Sequence, residues 1–164
     1  MEERSSILNF KIVLYQPEIP ANTGNIGRLC VGCNSQLHLI KPMRFFINDK
    51  YIKRAGLDYW QKLDLKLHDS YECFLKNKDE SNIYYFSTKA EKSYTDIDYQ
   101  FGDYLVFGPE SRGLPEDIIF SSDNKGKVVR IPMSDKIRSI NLSNSVAAAL
   151  YEAWRQQNFI NNQR

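Results

Sequence analysis

The chain has 164 residues, 42% of them hydrophobic and 26% charged, and its formal net charge is only +2. A globular domain commonly holds roughly 100–150 residues, so this length and composition exclude two large domains and a disordered chain. A net charge near zero gives no argument of its own for a nucleic-acid partner. We therefore expect one domain over residues 1–164.

The first residues carry two acids and lead into only a short apolar stretch, which is not the pattern of a signal peptide. No run of about 18 apolar residues follows that could cross a bilayer. We expect a cytoplasmic protein with no membrane partner. In that compartment Cys30, Cys33 and Cys73 are expected to remain thiols.

The first elements are predicted from residues 10–33. Residues 10–15 form a short apolar, β-branched run that ends before Pro17 and Pro20, which predicts a buried strand. The polar residues 22–25 are then predicted to be a loop. After them, apolar positions recur at helical spacing, namely Ile26, Leu29, Cys30 and Cys33.

The rest of the chain continues the alternation of strands and helices. Strands are predicted at residues 36–40, 63–67, 83–87, 104–107 and 128–131, with helical stretches at 50–57 and 70–76. The last helix has the clearest apolar stripe, is capped by Asn141 or Ser143, and runs to about Gln156. Strands separated by helices predict an α/β fold, with a mostly parallel sheet flanked by helices.

Two pairs of residues resemble metal or redox sites but are better explained by packing. Cys30 and Cys33 have the two-cysteine spacing, yet no second pair completes four zinc ligands, and Cys30 falls inside a predicted helix. His38 and His68 lack the spacing of a metal-binding motif. We interpret all four as structural.

Two short stretches concentrate basic residues, although each could be a solvated surface. The first contains Lys41, Arg44, Lys50, Lys53 and Arg54, and the second contains Lys125, Lys127, Arg130, Lys136 and Arg138. The glycine-rich signatures of dehydrogenases and P-loop enzymes are missing, as is the nucleophile elbow of hydrolases.

Three segments place glycines or small polar residues just beyond a predicted strand: residues 20–28, 107–115 and 131–144. Each one alone could be a turn followed by a helix cap. However, the carboxyl ends of parallel strands meet at one edge, where open α/β sheets bind their ligands. The three segments together therefore predict a composite binding site.

These ordered segments resemble the SPOUT class of methyltransferases, and within it the TrmL/YibK family of tRNA wobble-nucleotide 2′-O-methyltransferases. The resemblance runs from Ile12 to Gln156 and includes residues 56–59. It implies a homodimer and a C-terminal deep trefoil knot. It also implies methyl transfer from S-adenosyl-L-methionine, without a metal, to the ribose 2′-hydroxyl of cytidine or modified uridine 34 in a tRNA anticodon stem-loop.

The resemblance also assigns the site residues. The cofactor contacts map to Phe86, Gly108, Ile131, Met133, Ser139 and Leu142. At Gly108, the missing Cβ is expected to let the backbone approach the ligand closely. The polar positions at the reacting centre are Arg28, Glu110, Ser139 and Asn141, with Asn22 supporting the first segment. Because a guanidinium is effectively always protonated, Arg28 is assigned to phosphate binding and positioning rather than to proton abstraction.

Two alternatives stay open. One is a SPOUT domain that binds RNA without catalysis, against which the intact set of Gly108, Glu110, Ser139 and Asn141 argues. The other is a methyltransferase for another tRNA or rRNA ribose. The homodimer is also suggested by Tyr151 and Trp154, which flank the apolar stripe of the last helix and could contact a second copy. The alternative is that both aromatic residues complete the core of the single chain.

Overall fold

The computed structural model describes residues 8–47 and 59–164. In this part of the chain, six strands form one sheet in the order β3-β2-β1-β5-β4-β6, and every pairing is parallel. The predicted parallel α/β architecture is thus confirmed. The strands are β1 Lys11–Tyr15, β2 Gln36–Ile40, β3 Leu65–His68, β4 Ile83–Phe86, β5 Tyr104–Phe107 and β6 Val128–Val129.

Four α-helices accompany the strands in the described residues. They are α1 Pro20–Gly32, α2 Tyr71–Asn77, α3 Glu116–Ile119 and α4 Leu142–Gln156, and short 3-10 turns lie at Trp60–Lys62, Tyr94–Asp96 and Ser122–Asn124. The helix predicted at residues 50–57 lies outside the described residues, as do Lys50, Lys53 and Arg54. None of the described helices has the length and apolarity needed to cross a membrane.

Helix α1 begins earlier than predicted, so the expected polar loop at residues 22–25 is wrong. The helix starts at Pro20, whose fixed φ suits a first helical turn and whose missing N–H costs nothing there. Asn22, Thr23 and Gly24 are buried on this helix. Small polar residues that pack against other elements leave no apolar periodicity in the sequence, and this explains the error.

The two faces of the sheet carry separate hydrophobic clusters. On one face, β1, β2 and β5 pack against α1 and α4, whose buried residues include Ile26 and Val146. On the other face, Val13 and Val106 pack against Phe74 of α2 and the buried side of α3. Alternate residues of the central strands thus fill both layers, as expected for a sheet covered on both sides.

Helix α4 confirms the predicted apolar stripe. Its buried residues are Leu142, Val146, Ala149, Leu150, Ala153 and Trp154. Of the two predicted caps, Asn141 is the one used, because its Oδ1 accepts the backbone N–H of Ser143 at 2.9 Å and of Asn144 at 3.3 Å. The end of the helix at Gln156 also agrees with the prediction.

The interpretation of Trp154 as a partner contact is wrong. Its side chain is only 7% exposed, its Nε1 donates to the carbonyl of Ile160 at 2.8 Å, and its ring packs against Phe159. The residues after α4 fold back over this indole and complete the core of the single chain. Tyr151, in contrast, is 46% exposed.

The residues interpreted as structural lie in the core. Cys30 and Cys33 are free thiols with no exposed surface, and burial raises the pKa of the Cys30 thiol. The imidazoles of His38 and His68 are stacked, with His38 Nδ1 2.8 Å from His68 Nε2. His38 Nε2 is 2.5 Å from Gln36 Oε1, so Nε2 is the nitrogen that carries the proton in the neutral ring.

Candidate active site

The structure brings the three predicted segments together around one cavity of about 570 Å³ at the carboxyl edge of the sheet. The first segment contributes Asn22 from the first turn of α1. The second is the loop after β5, and the third leads into α4. A fourth segment, residues 86–89 at the end of β4, completes the wall. The lining includes all six residues assigned to the cofactor: Phe86, Gly108, Ile131, Met133, Ser139 and Leu142.

The polar residues assigned to the reacting centre divide into two groups. Asn22, Glu110, Ser139 and Asn141 line the cavity, whereas Arg28 does not. Arg28 is exposed on α1, and at 1.5 Å of rise per residue it lies about 9 Å along the helix from Asn22. In the single chain, Arg28 is therefore separated from the other predicted residues.

Asn22 and Asn141 join the first turn of α1 to the N-terminus of α4. Asn141 Nδ2 donates to Asn22 Oδ1 at 3.3 Å, while Asn141 Oδ1 caps α4. Asn22 is only 7% exposed. Both side chains are thus engaged with the protein, and they fix the start of α4 at Asn141, two residues after Ser139. Ser139 itself is exposed and makes no hydrogen bond through its hydroxyl in the described residues.

Two glutamates fasten the loop after β1 to the loop after β5. Glu110 accepts the backbone N–H of Glu18 at 2.7 Å and of Ile19 at 3.3 Å. Glu18 in turn accepts the hydroxyl of Ser111 at 2.6 Å and its N–H at 3.1 Å. These bonds from the Ser111 hydroxyl and N–H lower the pKa of the Glu18 carboxyl. We call this arrangement the Glu18–Glu110 clasp.

The clasp gives Glu110 a structural task at the cavity. Its two carboxylate oxygens satisfy backbone donors just before α1, so this carboxylate positions the loop that leads to Asn22. Sequence reasoning missed Glu18 and Ser111. Ser111 lies within the segment 107–115 and Glu18 just before the segment 20–28. A reciprocal contact between two loops, 93 residues apart in the chain, leaves no periodic signal in the sequence.

The close backbone approach predicted at Gly108 is made by the chain itself. A Cβ at this position would lie 2.3 Å from the carbonyl carbon of Gly113 and 2.3 Å from the nitrogen of Leu114. The loop after β5 turns back on itself here, and the N–H of Gly113 donates to the carbonyl of Pro109 at 3.0 Å. Gly108 is thus needed for the loop to form, before any ligand binds.

One wall of the cavity is aromatic and apolar. The rings of Phe86 and Phe107 are stacked, with centroids 4.5 Å apart and planes 18° apart. Leu142 is buried beside the cavity, and Ile131 and Met133 are half-buried. This wall can cover the face of a planar heterocycle.

The charged lining of the cavity is predominantly positive. The lining contains three positively charged residues and one carboxylate, which give it a formal charge of +2: Lys89, Arg112, Arg138 and Glu110. Lys89 Nζ lies 2.7 Å from Glu116 Oε1, and Arg112 donates to Gln16 Oε1 at 2.7 Å. Arg138 forms no ion pair with any residue that the structure describes. The rim can therefore attract an anionic ligand.

Known proteins resemble this chain over most of its length. The profile of the SpoU rRNA Methylase family matches residues 9–151. The tRNA (cytidine(34)-2′-O)-methyltransferase of Methylovorus glucosotrophus is 48% identical over 152 residues, covering 92% of this chain and 97% of that protein. The Escherichia coli protein of the same name is 48% identical over 145 residues, covering 88% of this chain and 92% of that protein.

A solved structure extends the similarity to the fold. That structure concerns "the 2-OH methylation of C/U34 on tRNA". It superposes on this chain with a TM-score of 0.86 at 44% sequence identity. The match covers 92% of this chain and 97% of that chain. Together with the cavity at the carboxyl edge of a parallel sheet, these similarities establish that the chain belongs to the SpoU methylase family.

Proposed function

We propose that this protein transfers a methyl group from S-adenosyl-L-methionine to the ribose 2′-hydroxyl of nucleotide 34, a cytidine or modified uridine, in tRNA. The observation that carries the proposal is the convergence of four strand-end segments on one cavity. The substrate comes from the relatives, which are named tRNA (cytidine(34)-2′-O)-methyltransferases and are 48% identical to this chain.

The size and the apolar wall of the cavity support S-adenosyl-L-methionine as the cofactor. Its volume of about 570 Å³ lies within the usual range of small-molecule sites. The wall that contains Phe86, Ile131 and Leu142 is suited to an adenine ring. When bound, S-adenosyl-L-methionine supplies a methyl group activated by a positively charged sulfur, and this chemistry requires no metal.

The residues of the chain then act mainly by alignment. Ser139 has a hydroxyl without a partner in the described residues, so it can contact the ribose and orient its 2′-hydroxyl. Asn22, Glu110 and Asn141 are positioning residues, because their side chains bond to the protein. We assign them to holding the backbone around Ser139 and the start of α1.

Arg28 retains the role of a phosphate contact in this proposal. It lies outside the cavity lining, which agrees with binding a phosphate away from the reacting ribose better than with abstracting its proton. Arg112 and Arg138 at the rim are suited to further phosphates of an anticodon stem-loop.

The assembly and location of the protein are also proposals. We propose a homodimer, which the exposed Tyr151 of α4 supports, and light scattering that gives a monomer mass at micromolar concentration would contradict it. We propose that the reaction takes place in the cytoplasm because its substrate is tRNA. The trefoil knot near the C-terminus likewise stays a prediction from the family resemblance.

The proposed reaction can be tested with two anticodon stem-loops that differ by one atom. One carries an ordinary cytidine at position 34 and the other carries 2′-deoxycytidine, and each is incubated with purified protein and methyl-labelled S-adenosyl-L-methionine. We expect label in the first RNA only. Label in the deoxy RNA would contradict transfer to the 2′-oxygen.

The open alternatives give different results in the same assay. A relative that modifies another ribose would label total tRNA or rRNA but not position 34. A non-catalytic RNA-binding domain would bind the stem-loop and label no RNA. A calorimetric titration with S-adenosyl-L-homocysteine separates this last case from an inactive preparation, because the proposed enzyme must bind the product of its cofactor.

A further inference from the structure

A second cavity of about 490 Å³ lies on the other face of the sheet, where α2 and α3 cover the strands. Its lining includes Gln16 and Lys41, which follow β1 and β2 at the carboxyl edge of the sheet. Gln16 belongs to its lining and Arg112 to the lining of the first cavity, and a hydrogen bond of 2.7 Å joins these two side chains. The three segments predicted from the sequence do not form this second cavity, and the proposed methyl transfer assigns it no role.

Tyrosines form much of its wall. The rings of Tyr15 and Tyr71 meet edge to face with centroids 6.0 Å apart, and the hydroxyls of Tyr71 and Tyr85 are 2.7 Å apart. Tyr85 is buried, whereas Tyr15 and Tyr71 are partly exposed. Faces of such rings attract cations and also pack against alkyl chains.

The charged lining of this cavity is opposite in sign to that of the active site. Four carboxylates (Asp69, Glu72, Asp117 and Asp123) and two ammonium groups (Lys41 and Lys78) give a formal charge of −2. Lys41 Nζ lies 3.6 Å from Asp69 Oδ1, and Lys78 Nζ donates to two backbone carbonyls. Glu72, Asp117 and Asp123 form no ion pair within residues 8–47 and 59–164.

Two of these unpaired carboxylates act on the same tyrosine. Burial is the main reason why the pKa of Tyr15 is raised. The negative charges of Asp117 and Glu72 raise this pKa further, whereas the positive charge of Arg112 lowers it. Asp117 belongs to α3 and Glu72 to α2, so each helix contributes a carboxylate to the lining that also contains Tyr15. An occupant of the cavity would meet both charges.

The arrangement of the lining carboxylates bears on the class of cation that this cavity suits. In the described residues, no three His, Cys, Asp or Glu side chains are grouped closely enough to hold a metal ion. Carboxylates distributed around tyrosine rings are suited to a longer ligand, with separated ammonium groups joined by methylene chains. We propose that this cavity binds an aliphatic polyamine, with Glu72 and Asp117 holding its ammonium groups.

The test is a titration of RNA-free protein with spermidine by calorimetry, with S-adenosyl-L-homocysteine present at saturation so that the first cavity is filled. We expect one spermidine per chain. The double variant Glu72→Gln/Asp117→Asn is expected to bind about tenfold more weakly, because two exposed ion pairs together contribute on the order of 1.4 kcal/mol.

A matched control separates this site from a general effect of charge. Glu91 and Asp98 are exposed and line neither cavity, so Glu91→Gln/Asp98→Asn changes the net charge by the same amount. We expect the control to bind spermidine like the wild type. An equal loss in both double variants, no loss in either, or equally tight competition by Mg²⁺ alone would overturn the proposal. Circular dichroism verifies that both variants are folded.

Discussion

Replacing Gly108 with alanine adds one methyl group at the place where the loop after β5 folds back on itself. The new carbon would lie 2.3 Å from the backbone of both Gly113 and Leu114. Carbon atoms in contact normally stay about 3.5–4.0 Å apart, so the backbone has to move by more than about 1 Å. Leu114 is only 4% exposed, and this movement would pull it from the core.

The cost of this substitution can be estimated from the crowding. Overpacking in a well-packed region costs about 1–3 kcal/mol, and here the obstacle is backbone rather than a flexible side chain, so we expect about 3 kcal/mol. For a chain of this size, 1 kcal/mol shifts the Tm by roughly 2–4 °C. The Tm of the unliganded variant should therefore fall by roughly 6–12 °C.

The assay is thermal unfolding of the wild type, Gly108→Ala and the control Gly32→Ala, each with and without S-adenosyl-L-homocysteine. Gly32 ends α1, and a Cβ there would meet nothing within 4 Å. Alanine is favoured over glycine in a helix by roughly 0.5–1 kcal/mol, so this control should be as stable as the wild type or slightly more stable.

One result would refute the reasoning. If Gly108→Ala unfolds at the wild-type temperature without ligand and loses only the stabilisation by S-adenosyl-L-homocysteine, the missing Cβ serves ligand approach rather than the loop itself. The original expectation from the sequence would then be correct.

Three further predictions concern other positions. Arg28→Ala should lower the rate of single-turnover methyl transfer to an anticodon stem-loop by about 100-fold, because a misplacement of the substrate by about 1 Å can have an effect of this size. The affinity for S-adenosyl-L-methionine should stay within about twofold of the wild type. An equal loss of rate and affinity would contradict the role of Arg28 in phosphate binding. Asn141→Ala should cost about 1 kcal/mol in urea unfolding because α4 loses its cap, whereas Asn141→Asp keeps the acceptor and most of the stability; equal losses would contradict the capping role. The pKa of His38 is lowered to about 3 by burial, and further by His68 and Lys11. In the unfolded chain the pKa of this imidazole is about 6.5, so between pH 6.5 and pH 3 the unfolded chain binds a proton that the folded chain does not. The free energy of unfolding is therefore highest above about pH 6.5 and falls as the pH is lowered towards 3. In urea unfolding, His38→Gln should show a smaller difference between pH 7 and pH 5 than the wild type, and an unchanged difference would count against this account.

Much of the fold could be predicted because it depends on local patterns. Short runs of apolar residues, in alternation with helical stretches, predicted all six described strands, and the stripe on α4 predicted that helix together with its end at Gln156. Both signals come from burying one side of a regular element, so they are visible in a single sequence. The sequence also placed three small polar segments beyond strand ends, where the cavity lies.

Other features depend on contacts between distant parts of the chain. The start of α1 at Pro20 was missed because Asn22 and Thr23 are polar yet buried against other elements. The covering of Trp154 was missed because residues 159–160 carry no helical or strand pattern. In both cases the environment of the side chain is set by tertiary packing and not by its neighbours in sequence.

The same distinction applies to the candidate site. The sequence and the family resemblance predicted residues that line the cavity. Three features appear only in the tertiary structure: the Glu18–Glu110 clasp, the close backbone contact at Gly108, and the separation of Arg28 from the cavity. Residue type and spacing determine which groups are available at the ends of the strands. Which of these groups bond to the protein, and which remain free for a ligand, is decided by how the loops pack, because each hydrogen bond or close contact requires two segments to meet at a defined distance.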